Sequence, residues 1–156
     1  MRMTELPDEI DRMVASRQLE RVAENVAHAQ AVIVTAPRHL DTAKVLADSP
    51  DVAMAFTAAY DGTRKALSAV LAVYGLRVRP VGGAHRNAGR AATALMPKAT
   101  ELIAQFDWMR QVRNSMEYPQ DARPEATRDD VMEAIQAGGA IIAACAAAIK
   151  GQGAPP

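Results

Sequence analysis

Apolar residues recur at helical spacing along almost the whole 156-residue chain, and almost no segment alternates as strands do. The chain is 49% hydrophobic but only 4% aromatic, and alanine dominates its apolar residues. Helices with such small side chains must approach one another closely to build a core. The sequence therefore predicts an all-α fold, an up-and-down bundle of four long helices with additional short helices.

Prolines, glycines and capping residues predict where these helices begin and end. Residues 7–36 form one bent helix or two, because the apolar pattern slips near Ser16, and Pro37 should break or kink the helix at that point. The further predicted segments are a short helix over 39–47, a long helix from Ser49-Pro50-Asp51 to Tyr74, a loop over 76–83, a short helix over 85–95, a long helix from Pro97 to Tyr118, a loop over 119–124 and a last helix from Thr127 to about Lys150. Residues 1–150 are thus expected to be one domain, and 151–156 a disordered tail.

Charge and cysteine content limit the possible functions. Eighteen basic and eighteen acidic residues give a net charge of zero, so any contact with nucleic acid must come from a local cluster. The single Cys145 allows no intramolecular disulfide and no cysteine zinc site, which fits a reducing cytoplasm. We expect no contact with a membrane, because the charged N-terminus does not resemble a signal peptide and the apolar stretch 135–149 is too short for a span.

One arginine occupies a position where a core residue is expected. The apolar face of the helix from Pro97 to Tyr118 is formed by Leu102, Phe106, Met109, Arg113 and Met116. A permanent charge on such a face is costly unless it is paired or faces a cleft or a partner. Because Tyr118 follows at the end of the helix, before Pro119, a cation and a phenol are predicted to form a site there.

Three motifs on this helical frame carry a family resemblance. They are the run from Tyr60 to Leu67 (Tyr-Asp-Gly-Thr-Arg-Lys-Ala-Leu), the glycine loop that ends in Gly83-Ala84-His85, and Phe106-Asp107 followed by Arg113-Asn114 and Glu117-Tyr118-Pro119. In this order they resemble the HEPN superfamily (higher eukaryotes and prokaryotes nucleotide-binding), and most closely a bacterial branch whose terminal motif reads Arg-Asn-x-x-Glu-Tyr. The resemblance covers about residues 20–150.

The resemblance implies an RNA-directed site, which this chain carries in altered form. Active members of the superfamily are metal-independent endoribonucleases, in which an Arg and a His four to six residues later meet their counterparts across a homodimer. Arg113 and Asn114 match the first half, but Tyr118 holds the position of the His. A histidine moves protons near neutral pH, whereas a tyrosine with a reference pKa of about 10 is a poor base. Arg113 can still bind phosphate through its planar donors.

The resemblance and the chemistry together predict two sets of site residues. The catalytic candidates are Arg113, Asn114, Tyr118 and His85, and the ligand-binding candidates are Arg64, Lys65, Asp61 and Glu117. Each has an ordinary structural alternative. Arg113 could form a buried ion pair with Glu117 or Asp61, Arg64 and Lys65 could form helix-surface salt bridges with Asp61, and His85 could be a solvent-exposed neighbour of a helix cap.

No cofactor and no metal are expected. Glu24 and His28 share a helix face, but one such pair is not a metal site. No Gly-Lys-Ser/Thr follows the glycines at 82 and 83, so the loop is not a P-loop, and no serine nucleophile elbow is present.

These observations favour a degenerate relative of toxin or defence endoribonucleases that binds RNA or a nucleotide. Two alternatives stay open: an active metal-independent endoribonuclease of a toxin–antitoxin or defence system, and a non-catalytic protein-interaction adaptor. The expected partners are a second copy of the chain in a homodimer, RNA or a nucleotide, and a cognate antitoxin or other protein.

Overall fold

A computed structural model describes residues 6–117 and 126–153, which form a helical bundle with one small two-stranded sheet. The elements are α1 (Asp8–Ala15), β1 (Leu19–Arg21), α2 (Val26–Ala47), α3 (Val52–Val73), β2 (Leu76–Val78), α4 (Ala84–Leu95), a 3-10 turn (Pro97–Ala99), α5 (Thr100–Glu117) and α6 (Arg128–Gly153). Helices α2, α3, α5 and α6 are the four long ones, so the predicted all-α bundle is confirmed.

The N-terminal segment contains two helices separated by a strand. The predicted slip in the apolar pattern near Ser16 coincides with the end of α1, where Ser16 is the C-cap and Arg17 has a positive φ of 63°. Helix α2 then starts after Asn25, whose side chain accepts a hydrogen bond from the His28 backbone N–H at 3.0 Å. Of the two alternatives for residues 7–36, two helices is the correct one.

Pro37 does not separate two helices, contrary to prediction, because α2 continues from Val26 through Ala47. A proline inside a helix removes one backbone hydrogen bond and normally costs about 3 kcal/mol. Here the surrounding helix is held by burial on the core side, where Ala36, Leu40 and Ala43 are nearly inaccessible to solvent. Tertiary packing therefore outweighs the local signal.

The predicted loop over 76–83 contains a strand, which is a second correction. Strand β2 pairs antiparallel with β1, with Leu19 opposite Val78 and Arg21 opposite Leu76. Gly75 ends α3 with a φ of +69°, and its carbonyl accepts a hydrogen bond from the Val22 N–H at 2.8 Å, which extends the pairing. Strands of three residues, far apart in sequence, are too short to show an alternating pattern.

Side-chain caps set the starts of α3 and α6. Asp51, rather than Ser49, caps α3 by accepting from the Met54 N–H at 3.1 Å. Before α6, the Thr127 hydroxyl accepts from the Asp130 N–H at 3.1 Å, and Asp130 accepts in return from the Thr127 N–H at 2.9 Å. This reciprocal pair is a capping box with Asp in the usual Glu position.

Helix α6 is longer and more apolar than predicted. It reaches Gly153, so residues 151–153, assigned to a disordered tail, are helical. By length and composition alone the stretch Arg128–Gly151 could cross a membrane, although the sequence predicted no span there. Core helices pass the same test, and Val131, Ile141 and Cys145 of α6 are buried inside the bundle.

Candidate functional site

Tyr60 connects the three helices that surround the predicted site. It belongs to α3 and is fully buried. Its ring stacks on Phe106 of α5, with centroids 5.2 Å apart and planes 8° apart. Its hydroxyl lies 2.8 Å from Nδ1 of His85 at the start of α4. The tyrosine therefore fixes the position of the histidine imidazole relative to α5.

Arg113 reaches the same place from the end of α5. Its guanidinium carbon lies 5.7 Å from the centroid of the Tyr60 ring, within range of a cation–π interaction. The residues of α5 that are most deeply buried are Ile103, Phe106, Met109 and Val112. Arg113 is half-buried, so it lies at the margin of the apolar face and not at its centre as the spacing predicts.

Burial favours the neutral forms of both Tyr60 and His85 near pH 7, whereas the neighbouring arginines favour the neutral form of His85 only. Burial raises the pKa of Tyr60 to about 12. Burial also lowers the pKa of His85, and the charges of Arg64 and Arg113 lower it further. When the Tyr60 hydroxyl donates to Nδ1 of this neutral imidazole, the ring proton is on Nε2, which can then donate to a ligand.

A small cavity of about 190 Å³ lies between the start of α4 and the last turns of α5. His85 and Asn114 both line it, together with Arg86 and Arg110. Arg110 is held by Asp107, with Nη2 to Oδ1 at 2.8 Å. The structure thus places His85, Asn114 and two arginines around one cavity.

The predicted residues of α3 separate into two groups. Arg64 faces His85, since its charge lowers the His85 pKa, and its Nη2 is 3.9 Å from Asp61 Oδ1, the distance of a weak ion pair. Lys65 is turned toward α2, where its Nζ lies 2.9 Å from Nε2 of His39. Lys65 is therefore not brought together with the other candidates.

Two predicted site residues cannot be placed beside these groups. Tyr118 lies outside the described residues, and so does the side chain of Glu117. The predicted pairing of Arg113 with Glu117 consequently stays a prediction. Within the described part of the chain, Asp61 forms its ion pair with Arg64.

Neither Tyr60 nor Arg110 is among the site residues that the sequence predicted. Tyr60 is a core residue, yet its hydroxyl also positions His85. Tyr60 and Arg64 are four residues apart on α3, a spacing that places both on one helix face and could have linked them. For Arg110 the available signal was its position three residues before Arg113, although that spacing alone does not identify a cavity.

A metal centre finds no support in the described ranges 6–117 and 126–153. No group of three His, Cys, Asp or Glu side chains gathers there in a way that could hold an ion. His28, half of the one pair noted in the sequence, is exposed on the first turn of α2.

The chain matches the family model of the HEPN domain over residues 29–148. This match covers most of the chain, so the protein belongs to the HEPN family. Neither a curated protein nor a solved structure matches the chain at a significant level. The matched range spans α3, α4 and α5 completely, and therefore includes all three helices that converge on Tyr60 and His85.

Proposed function

We propose that this HEPN domain binds RNA or a nucleotide through Arg113, Asn114 and His85, with Arg64 beside them and Tyr118 as a further contributor. The observation that carries the proposal is the convergence of α3, α4 and α5 on the Tyr60–His85 pair, next to the Arg113 guanidinium. Following the family resemblance, we infer a degenerate relative of toxin or defence endoribonucleases.

The chemistry of these groups suits a phosphate. Arg113 and Arg64 supply planar, permanently charged donors, and guanidinium groups bind phosphate oxygens in pairs of hydrogen bonds. The Asn114 amide and His85 Nε2–H add neutral donors at the small cavity. A bound phosphate would also reduce the mutual repulsion of the cations around His85.

The test is Arg113→Met, with Arg12→Met as the matched control. Arg12 is an exposed arginine of α1 that pairs with Glu9, away from the site. We expect Arg113→Met to abolish binding of a fluorescent oligouridylate and to change stability by only about 1 kcal/mol, the cation–π contribution. The control should bind as the parent does.

A buried structural ion pair predicts a different result. Removing one partner of such a pair leaves an uncompensated carboxylate and costs about 3–5 kcal/mol. A loss of that size in Arg113→Met, in a parent chain that binds no oligouridylate, would contradict the proposal.

A second candidate is metal-independent RNA cleavage with His85 as the proton carrier. The specific observation is that His85, the only imidazole near Arg113 among the described residues, is oriented by the Tyr60 hydroxyl. With Tyr118 in the position of the family histidine, we expect weak or absent cleavage of RNA in EDTA. Robust cleavage that is lost in both Arg113→Ala and His85→Ala would instead establish this second candidate.

Tyr118→His provides the complementary experiment. If the site is a degenerate nuclease, restoring an imidazole with a pKa near 6.5 should produce cleavage that still depends on Arg113. If Tyr118→His binds RNA but gains no cleavage, the result supports the binding function and contradicts descent from a nuclease.

A further inference from the structure

A second cleft opens on the other side of His85. It has a volume of about 610 Å³, within the range of small-molecule and ligand sites. Its walls are strand β2, the segment before α2, the second half of α3 and the first turns of α4. Neither strand was predicted from the sequence, so the cleft was not foreseen.

The cleft is lined by cations and imidazoles. Its charged or titratable lining residues are Arg64, Arg77, Arg79, His28 and His85. Among the described residues that line it, none is Asp or Glu. In a chain whose formal net charge is zero, this is a local concentration of positive charge.

The arginines of the cleft differ in how far they are already compensated. Arg77 is exposed and bound to Glu20, with Nε to Oε1 at 2.7 Å. Arg79 is half-buried, and within the described part of the chain its side chain forms no ion pair with a carboxylate. The Arg64 Nε is buried and has no hydrogen-bond partner among the described residues. Within the described residues, Arg79, which has no ion pair, and Arg64, which has only the 3.9 Å ion pair to Asp61, are thus the least compensated arginines of the cleft.

The cleft is continuous with the small cavity at Asn114. Ala84 and His85 line both spaces, so the His85 side chain stands at their junction. From Asn114 to Arg79 the cations follow one path: Arg110 and Arg86 on one side of His85, Arg64 and Arg79 on the other.

We infer that this cleft is a second phosphate subsite, which holds the continuation of a single-stranded RNA whose first phosphate occupies the Arg113–Asn114 site. The inference rests on the proposed function and extends it, since it makes the ligand a strand of several nucleotides. The small cavity and the cleft meet at His85, and each has its own arginines. Two adjoining cationic sites of this kind suit two successive phosphates of one RNA backbone. Val78, which is half-buried, and Pro80, which is exposed, give the cleft an apolar surface for a base.

The test measures the affinity of the parent chain and of Arg79→Ala for oligouridylates of two, four, six and eight nucleotides. Arg38→Ala is the matched control. Arg38 is an exposed arginine of α2 that lines neither space. In the parent, affinity should rise roughly tenfold or more between two nucleotides and the longer strands. Arg79→Ala should remove that rise and leave dinucleotide binding unchanged, while Arg38→Ala should behave as the parent.

The outcomes separate the inference from the proposed function. Arg113→Met should weaken all four lengths alike; if it does so while Arg79→Ala changes none, the second subsite is wrong and the first site stands. If no length binds the parent, both fail. If the parent binds a nucleoside triphosphate in an Arg79-dependent way but binds no oligouridylate, the cleft holds a mononucleotide. The inference of a single-stranded RNA ligand is then wrong. The Arg79 backbone donates its N–H to the Gln18 carbonyl and accepts from the Val81 N–H. Because neither bond involves the side chain, Arg79→Lys provides a second variant that keeps both the fold and the charge.

Discussion

Tyr60 and His85 illustrate how one hydrogen bond ties the core to the site. The Tyr60 ring is packed between helices and stacked on Phe106, so its hydroxyl has a fixed position. The imidazole of His85 is held against it at 2.8 Å. Without this contact, a histidine at the start of a short helix would sample several rotamers. The hydrogen bond to Tyr60 offsets the entropic cost of fixing one rotamer.

The burial of His85 and His39 predicts that stability depends on pH. Burial lowers the pKa of His85, with further contributions from Arg64, Arg113 and Arg110 against the opposing charge of Asp61. Burial, and then Lys65, lowers the pKa of His39. The unfolded chain therefore takes up protons at a higher pH than the folded chain, so stability is complete above about pH 7 and declines as the pH falls through the ordinary histidine value of 6.5.

Urea unfolding at pH 7.5 and 5.5 measures this effect. The parent chain should lose stability between the two conditions, and His85→Asn and His39→Asn should each lose less. Asparagine retains an acceptor for the Tyr60 hydroxyl, so the variant at 85 keeps that contact. The carboxylates with lowered pKa values, Glu9 and Asp107, act only at lower pH. Equal losses in all three chains would rule out the histidines as the cause.

At the scale of helices, small residues decide how closely α6 approaches its neighbours. Gly138 allows a close crossing, since a Cβ added there would lie 2.5 Å from Thr63 Oγ1 and 3.3 Å from Leu40 Cδ2. Thr63 cannot easily turn away, because its hydroxyl donates to the Ala59 carbonyl at 2.9 Å. The adjacent Gly139 has ordinary room, with Leu40 Cδ1 at 3.7 Å.

These two glycines form a matched pair for mutation. Gly138→Ala should destabilise the bundle by about 1–3 kcal/mol, because the overpacking outweighs the gain of about 1 kcal/mol in helix propensity. Gly139→Ala should be neutral or stabilise by up to about 1 kcal/mol, since only the propensity changes. Chemical denaturation of both variants measures the difference. A stabilised Gly138→Ala would show that α6 can shift away from α3 without cost.

At the scale of the whole molecule, a neutral chain acquires a polarised surface through folding. Several acidic residues are neutralised in exposed ion pairs away from the cleft: Glu9 with Arg90, Asp11 with Arg21, and Asp48 with Arg128. The cations around His85 are left in two adjoining spaces. Net charge therefore understates the capacity of such a domain for anions, and salt should weaken oligonucleotide binding strongly.

We expect a homodimer whose interface includes the end of α5, so that two Arg113 sites face each other. A twofold interface brings the same residue of both copies close together. Ser115→Cys, near the end of α5, should form a disulfide-linked dimer on mild oxidation, whereas Val34→Cys on α2 should not. Val34 is 63% exposed, and burial raises the pKa of Cys145 to about 12, so the native thiol stays unreactive.

Light scattering of the parent chain provides the independent measurement. A mass twice that of the chain at micromolar concentration is the expected result. A monomer at high micromolar concentration would remove the composite site, and efficient cross-linking through residue 34 instead of 115 would move the interface to α2.

Helical periodicity and capping residues were sufficient to predict the bundle, the order of its long helices and the start of α6 at Thr127. All of these depend on residues within a few turns of one another, which is the range over which spacing and capping act. The family resemblance, carried by separate motifs in a fixed order, placed Arg113, Asn114 and His85 among the candidates.

Contacts between distant segments were decided only in the folded chain. Four features join residues from different elements or depend on how those elements pack. They are the pairing of β1 with β2, the continuity of α2 through Pro37, the separation of Arg64 from Lys65 and the Tyr60–His85 hydrogen bond. Each is set by which faces are buried together, and a one-dimensional pattern does not contain that information. The basic cleft is built from such contacts, which is why the sequence showed its arginines without showing that they meet.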